Sequence, residues 1–309
     1  MAMNSRVLVI GGVAILALAV AFDAWWGLDI GTAPNPDAIA SAPPASSSGA
    51  PVAPDASSRT ATLSGEAATG TALPLPPVPP RIAQGADYER CLAMLPLDPA
   101  GANAFADAWE ATGGGDGAVH CHAAAQIALG YTEAGAEMLE KLARSSKAPA
   151  LARAFVYGQA TQAWLIAGEA DRAYGTATLA LAMVPDDPDL LIDRSIAAAT
   201  MERYMDAIDD LNLSLDRDPK RTDALVFRAA AWRHEGQLGL ARDDVERALA
   251  IDPDYPEAIL ERGILLQRRG DLEGARTEWL RVLALAPDTA TADLAQQNLA
   301  LLEAGPQIR

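Results

Sequence analysis

The stretch AAAWRHEGQLGLARDDVERALAIDP, residues 229–253, carries the pattern on which most of the chain is built. Small residues stand at Ala229, Ala241 and Ala248, and large apolar ones at Trp232 and Val245. Gly236 marks the turn between two helices, and Pro253, which lacks an N–H and clashes with the preceding turn, stops the second. Working outward, the same markers return at a fixed distance. Pro185, Pro219, Pro253 and Pro287 are each 34 residues apart, and helical patterning at that period signals stacked two-helix units.

The unit before reads Ser195, Ala198, Glu202, Ala207, Leu211, Ser214, Pro219, with Glu202 where a turn glycine is usual. The first reads Thr161, Trp164, Gly168, Ala173, Ala177, Ala180, Pro185, and the last Gly263, Leu266, Gly270, Ala275, Trp279, Val282, Pro287. Over residues 154–289, a little under half the chain, this resembles the tetratricopeptide repeat family. The resemblance implies an all-α fold, a superhelix of stacked antiparallel helix pairs. A lone hairpin cannot bury its own faces, so stability comes from stacking, and the tryptophans read as core.

Within the last three units, Arg194, Arg228 and Arg262 share one position, and Asp210, Asp244 and Glu278 follow them by 16 residues. The expected arrangement is a structural Arg–carboxylate pair bridging the two helices of each hairpin, bidentate where geometry permits. A helix over 290–303 is expected to cap the array, with a tail to 309. Helices are also expected at 87–95, 99–112, 117–129 and 132–145. The last two resemble a divergent repeat with its loop one residue short, so 86–153 forms a helical N-terminal part.

At the other end, Arg6 precedes the apolar run Val7 to Phe22, which reads within residues 1–30 as a signal peptide or a signal anchor. Ala19, Val20 and Ala21 satisfy a small-x-small cleavage rule, whereas Trp25 and Trp26 suit an uncleaved anchor at the membrane interface. Either way the remainder is expected to cross, giving an inner-membrane-anchored protein with a periplasmic domain, or a periplasmic one if the signal is cleaved. Residues 31–85, rich in Pro, Ala and Ser, read as a disordered tether with a coil span of roughly 40 Å.

Chemistry-bearing residues are few. An exported context and an even cysteine count fit a Cys91–Cys121 disulfide, with two buried thiols as the alternative. His120 and His122 flank Cys121, but residues two apart on a helix point roughly 200° from each other and cannot share an ion. Neither a metal nor a cofactor is expected. Gly113 to Gly115 lack the Lys-Ser/Thr of a phosphate loop and read as a connector. No serine or carboxylate pair stands beside a base, so no catalytic residues and no enzyme are expected. A net charge of −17 argues against nucleic acid as a partner.

By the family resemblance, the first helices line a concave groove for peptide segments of partner proteins. The groove residues expected to bind are Ile192, Ile196, Val226, Phe227, Arg233, Leu260 and Ile264. Gly158, Gln159, Gln162, Asp193, Ala230, Glu261 and Gln267 share that face. The lysine and asparagine clamp with which some members hold carboxylate tails is missing. The expected function is a non-enzymatic periplasmic adaptor or assembly scaffold, tethered to the membrane by its N-terminal segment. The alternative is a self-associating structural protein of the cell envelope.

Overall fold

The structure, a computed structural model, describes residues 81–304. The expected membrane segment, the tether as far as residue 80 and residues 305–309 lie outside them. Among the described residues the chain is all helix, without a strand. An N-terminal part comprises α1 (Ala86–Met94), α2 (Pro99–Ala111), α3 (Gly115–Ala128) and α4 (Thr132–Ser145). Four hairpins follow: α5 (Ala150–Ala167) with α6 (Ala170–Leu181), α7 (Pro188–Thr200) with α8 (Tyr204–Arg217), α9 (Thr222–His234) with α10 (Leu238–Ile251), and α11 (Pro256–Arg268) with α12 (Leu272–Leu285). The chain closes on α13 (Ala290–Ala304).

The repeat markers do the work their chemistry allows. Pro185, Pro219, Pro253 and Pro287 each fall within a few residues after a second helix has ended. Pro188 and Pro256 open α7 and α11, where a missing N–H costs nothing. Asp187 caps α7, its Oδ1 accepting from the N–H groups of Asp189 (3.0 Å) and Leu190 (3.1 Å). The turns need a left-handed residue. Gly168, Gly236 and Gly270 supply it with φ of 80°, 72° and 83°, and Glu202 is held at φ 60° in the equivalent turn, against its side chain's preference.

Small residues let the helices of a hairpin meet. Ala173, Ala207, Ala241 and Ala275 are all completely buried. At Gly263 a Cβ would run into the Trp279 ring, which is itself fully buried and reaches the Leu260 carbonyl with its Nε1 at 3.4 Å. One apolar core runs from α5 through α13, including Trp164, Leu211, Val245, Trp279 and Leu299. A second core joins α1, α3 and α4 to α5, α6 and the start of α7, and a third surrounds Cys91 and Cys121.

The three charge pairs sit inside this frame. Arg194 donates to Asp210 through Nε (2.8 Å) and Nη2 (2.6 Å), and Arg228 to Asp244 through Nε (2.8 Å) and Nη2 (2.7 Å). Arg262 reaches Glu278 with Nη2 alone (2.8 Å), leaving its buried Nε without a partner. The extra methylene of glutamate changes the approach, so the third pair is the weaker one. The first hairpin has no such pair; Ala160 and Thr176 stand at the corresponding positions.

In the N-terminal part, Cys91 on α1 and Cys121 on α3 are joined by a disulfide, with Cα atoms 6.2 Å apart. The expectation of a shortened loop between α3 and α4 is corrected. Residues 129–131 connect them, as many as connect α7 to α8 or α9 to α10, because Gly130 adopts φ 91° in the same kind of turn. No described helix is long and apolar enough to cross a membrane, and the apolar run Val7 to Phe22 lies outside the described residues.

Candidate functional site

A groove of about 1040 Å³ opens where the N-terminal part meets the repeats. Its long wall is one face of α5. Leu151, Phe155, Gly158, Gln162 and Ile166 recur at helical spacing, and Leu151, Phe155 and Ile166 stay 51%, 42% and 40% exposed. Ile192, Asp193 and Ile196 of α7, which packs against α5, and Phe227 of α9 also line it. On the α3 side His120, Ala124 and Ile127 border it, and Lys220 and Arg221 border it from the segment before α9.

Of the residues expected to bind, Ile192, Ile196 and Phe227 line this groove, as do Gly158, Gln159, Gln162 and Asp193 from the same face. Val226, Leu260, Ile264 and Arg233 do not. Val226 and Leu260 are 1% and 0% exposed in the main core; Ile192, Ile196 and Phe227 belong to that core too and reach the groove with only 5%, 2% and 7% exposed. Ile264 is half-buried against that core. Arg233, one of the groove residues expected to bind, is buried in a pair with Glu261, Nε to Oε1 at 2.6 Å, both side chains 2% exposed. A guanidinium is tolerated there only because a carboxylate meets it. The groove thus lies N-terminal to most of the residues expected to bind, against α5.

The polar groups beside the groove form two sets. His120 donates through Nε2 to Gln159 Oε1 (2.6 Å) and accepts at Nδ1 from the Tyr88 hydroxyl (2.9 Å), a tautomer dictated by the amide oxygen. Burial lowers the His120 pKa, so the ring is neutral, and burial pushes Tyr88 up to about 12. His122 instead faces Glu110, Nδ1 to Oε2 at 3.2 Å, so the two histidines serve different neighbours. In the second set Arg221 holds Asp223 through Nε (3.0 Å) and Nη2 (2.6 Å) and Asp189 through Nη1 (2.6 Å). These bonds, led by that to Asp223, keep the guanidinium firmly charged.

Sequence reasoning missed Leu151, Phe155 and Ile166. Their four- and eleven-residue spacing on α5 was a usable signal, since the opposite face was already occupied by Thr161 and Trp164.

Stacked antiparallel hairpins with a left-handed turn, small contact residues and a terminal capping helix define a tetratricopeptide-repeat fold. Solved structures share it. The Cut9–Hcn1 hetero-tetramer of the APC/C aligns with a TM-score of 0.54 at 15% identity, over 69% of this chain and 42% of that one. The chain thus spans less than half the length of that relative. YrrB, described as a TPR protein with an unusual peptide-binding site, is 18% identical with a TM-score of 0.45, covering 63% of this chain and 97% of its own. TTC0263, a thermophilic TPR protein of Thermus thermophilus, is 17% identical with a TM-score of 0.49, covering 60% and 99%. No protein-family model and no curated protein sequence matches the chain. At these identities the likeness is one of fold.

Proposed function

We propose that the protein is a non-enzymatic protein–protein interaction module that takes a segment of a partner into the groove between α3, α5 and α7. The observation that carries this reading is the row Leu151, Phe155 and Ile166, left exposed along a groove of about 1040 Å³. Contiguous exposed apolar surface of this kind marks interaction sites. In this reading the protein is an adaptor or assembly scaffold, anchored in the inner membrane or released into the periplasm. Arg6 ahead of an apolar run, the Pro/Ala/Ser-rich residues 31–85 and the Cys91–Cys121 disulfide, which suits an oxidising compartment, support that placement.

Phe155→Asp tests the groove. Because the ring is 42% exposed, helicity and the unfolding midpoint stay near wild type, while partner crosslinking in intact cells is lost. A folded variant that still captures every partner puts the binding surface elsewhere. For topology, a reporter enzyme fused after residue 80 is active only if exported, and cytoplasmic activity defeats the periplasmic placement. A second reading, self-association, draws on Leu280 and Leu301, 50% and 57% exposed on the last two helices. Concentration-dependent sedimentation distinguishes it.

A further inference from the structure

Among the apolar walls of the groove stands one carboxyl that packing does not require. Asp193, in the middle of α7, is 5% exposed and borders the cavity. Among the described residues its side chain accepts one long hydrogen bond, from Gln162 Nε2 to Oδ2 at 3.3 Å. At the same place in the 34-residue frame the other hairpins carry Gln159, Phe227 and Glu261. Two of these are uncharged, and the third is locked onto Arg233. The neighbouring carboxylates are already engaged, Asp189 and Asp223 by Arg221 and Asp187 by the first turn of α7. Four carboxyls therefore border the cavity against the two cations Lys220 and Arg221.

We propose that Asp193 determines the specificity of the groove by receiving a basic side chain, arginine or lysine, from a partner segment whose flanking residues are apolar. This rests on the groove being a peptide-binding surface. With the other three carboxyls held by Arg221 or by the first turn of α7, Asp193 is the one left for an incoming cation, and the exposed Leu151, Phe155 and Ile166 call for apolar neighbours on either side of it.

Burial, reinforced by Asp189 and Asp187 and opposed by Gln162 and Arg221, pushes the Asp193 carboxyl up to about 8. Lys220, Asp223 and Tyr255 border the cavity from the α9 and α11 side, and α5 faces Asp193 with the uncharged Gln162. In the empty groove the carboxyl is largely protonated at neutral pH, and an incoming guanidinium displaces that proton. Affinity for an arginine peptide consequently rises between about pH 6 and about pH 8 and levels off above.

The test is a selection of random displayed peptides on the purified full-length protein. Retained peptides are expected to be enriched in arginine or lysine between apolar residues. Asp193→Asn, which keeps the size and the Gln162 contact, removes the enrichment. It weakens a selected arginine peptide about tenfold or more and flattens its pH dependence. The same peptide with glutamine in place of arginine, assayed on wild type, reads the contact without touching the fold and shows a similar loss. Retained peptides without basic enrichment, or an affinity indifferent to both changes, overturn the role of Asp193 and leave the peptide-binding reading standing. If no peptide is retained, both fall.

Discussion

The N-terminal part, α1 to α4, and the periodic part, α5 to α13, hold helices together by different means. In the periodic part each hairpin repeats its neighbour's contacts. One core runs through all of it, and charge pairs tie the two helices of the last three hairpins. The N-terminal part has smaller cores, and the Cys91–Cys121 bridge fastens α1 to α3. Repetition lets nearest-neighbour contacts add up along an array; α1 and α2 stand outside it and bury few side chains, Tyr88 and Cys91 in one and Ala102 and Ala106 in the other. The groove opens at the junction, where α3 meets α5 out of step with the 34-residue frame and leaves one face of α5 uncovered.

The largest expected effect breaks the N-terminal side of this comparison. Replacing both cysteines, Cys91→Ala with Cys121→Ala, removes the closure of a 30-residue separation and costs about 3.5 kcal/mol. Amide exchange should accelerate in α1 to α4 and stay unchanged in α9 to α12. Equal acceleration throughout shows that the two parts form a single cooperative unit.

Next comes the periodic side. Arg228→Ala leaves the buried Asp244 with Arg247 alone, at 3.1 Å, and costs about 2 kcal/mol in urea unfolding, whereas Arg262→Ala, removing a single bond and an unpartnered Nε, costs about 1 kcal/mol. Equal losses contradict the weaker third pair.

At the junction, the Asp193 carboxyl titrates near 8 when folded and near 3.8 otherwise. The folded chain therefore holds a proton that the unfolded chain has released, and stability falls as pH rises between those values. Asp193→Asn escapes that loss, so its advantage in stability over wild type should be slight near pH 4 and grow steadily as the pH rises toward 8. A constant difference across pH assigns Asp193 a purely steric effect.

The smallest effect sharpens the periodicity itself. Glu202→Gly restores the residue used in the equivalent turns and relieves a φ of 60°, raising the urea midpoint by the equivalent of about 0.5–1 kcal/mol. No gain shows that Glu202 makes a compensating contact.

Local chemistry made the periodic part legible in the sequence. A proline stops a helix wherever it stands, an alanine is small in any context, and the 16-residue spacing of Arg194 and Asp210 or of Arg228 and Asp244 is set by the hairpin alone. Those features determined the fold, the hairpin boundaries and the positions of the charge pairs. The groove depended on how successive first helices approach each other, which is a property of neighbours and not of any one helix. Val226 and Leu260 occupy the same register as Ile192 and all three are buried in one core, yet only Ile192 borders the groove, because the exposed face lies on α5. Burial of Arg233 against Glu261 and the isolation of Asp193 were likewise decided by side chains 28 and 31 residues away along the chain. Contacts at that distance acquire their energies only once packing has excluded water from them, and for that reason only the tertiary structure decided where the groove lies.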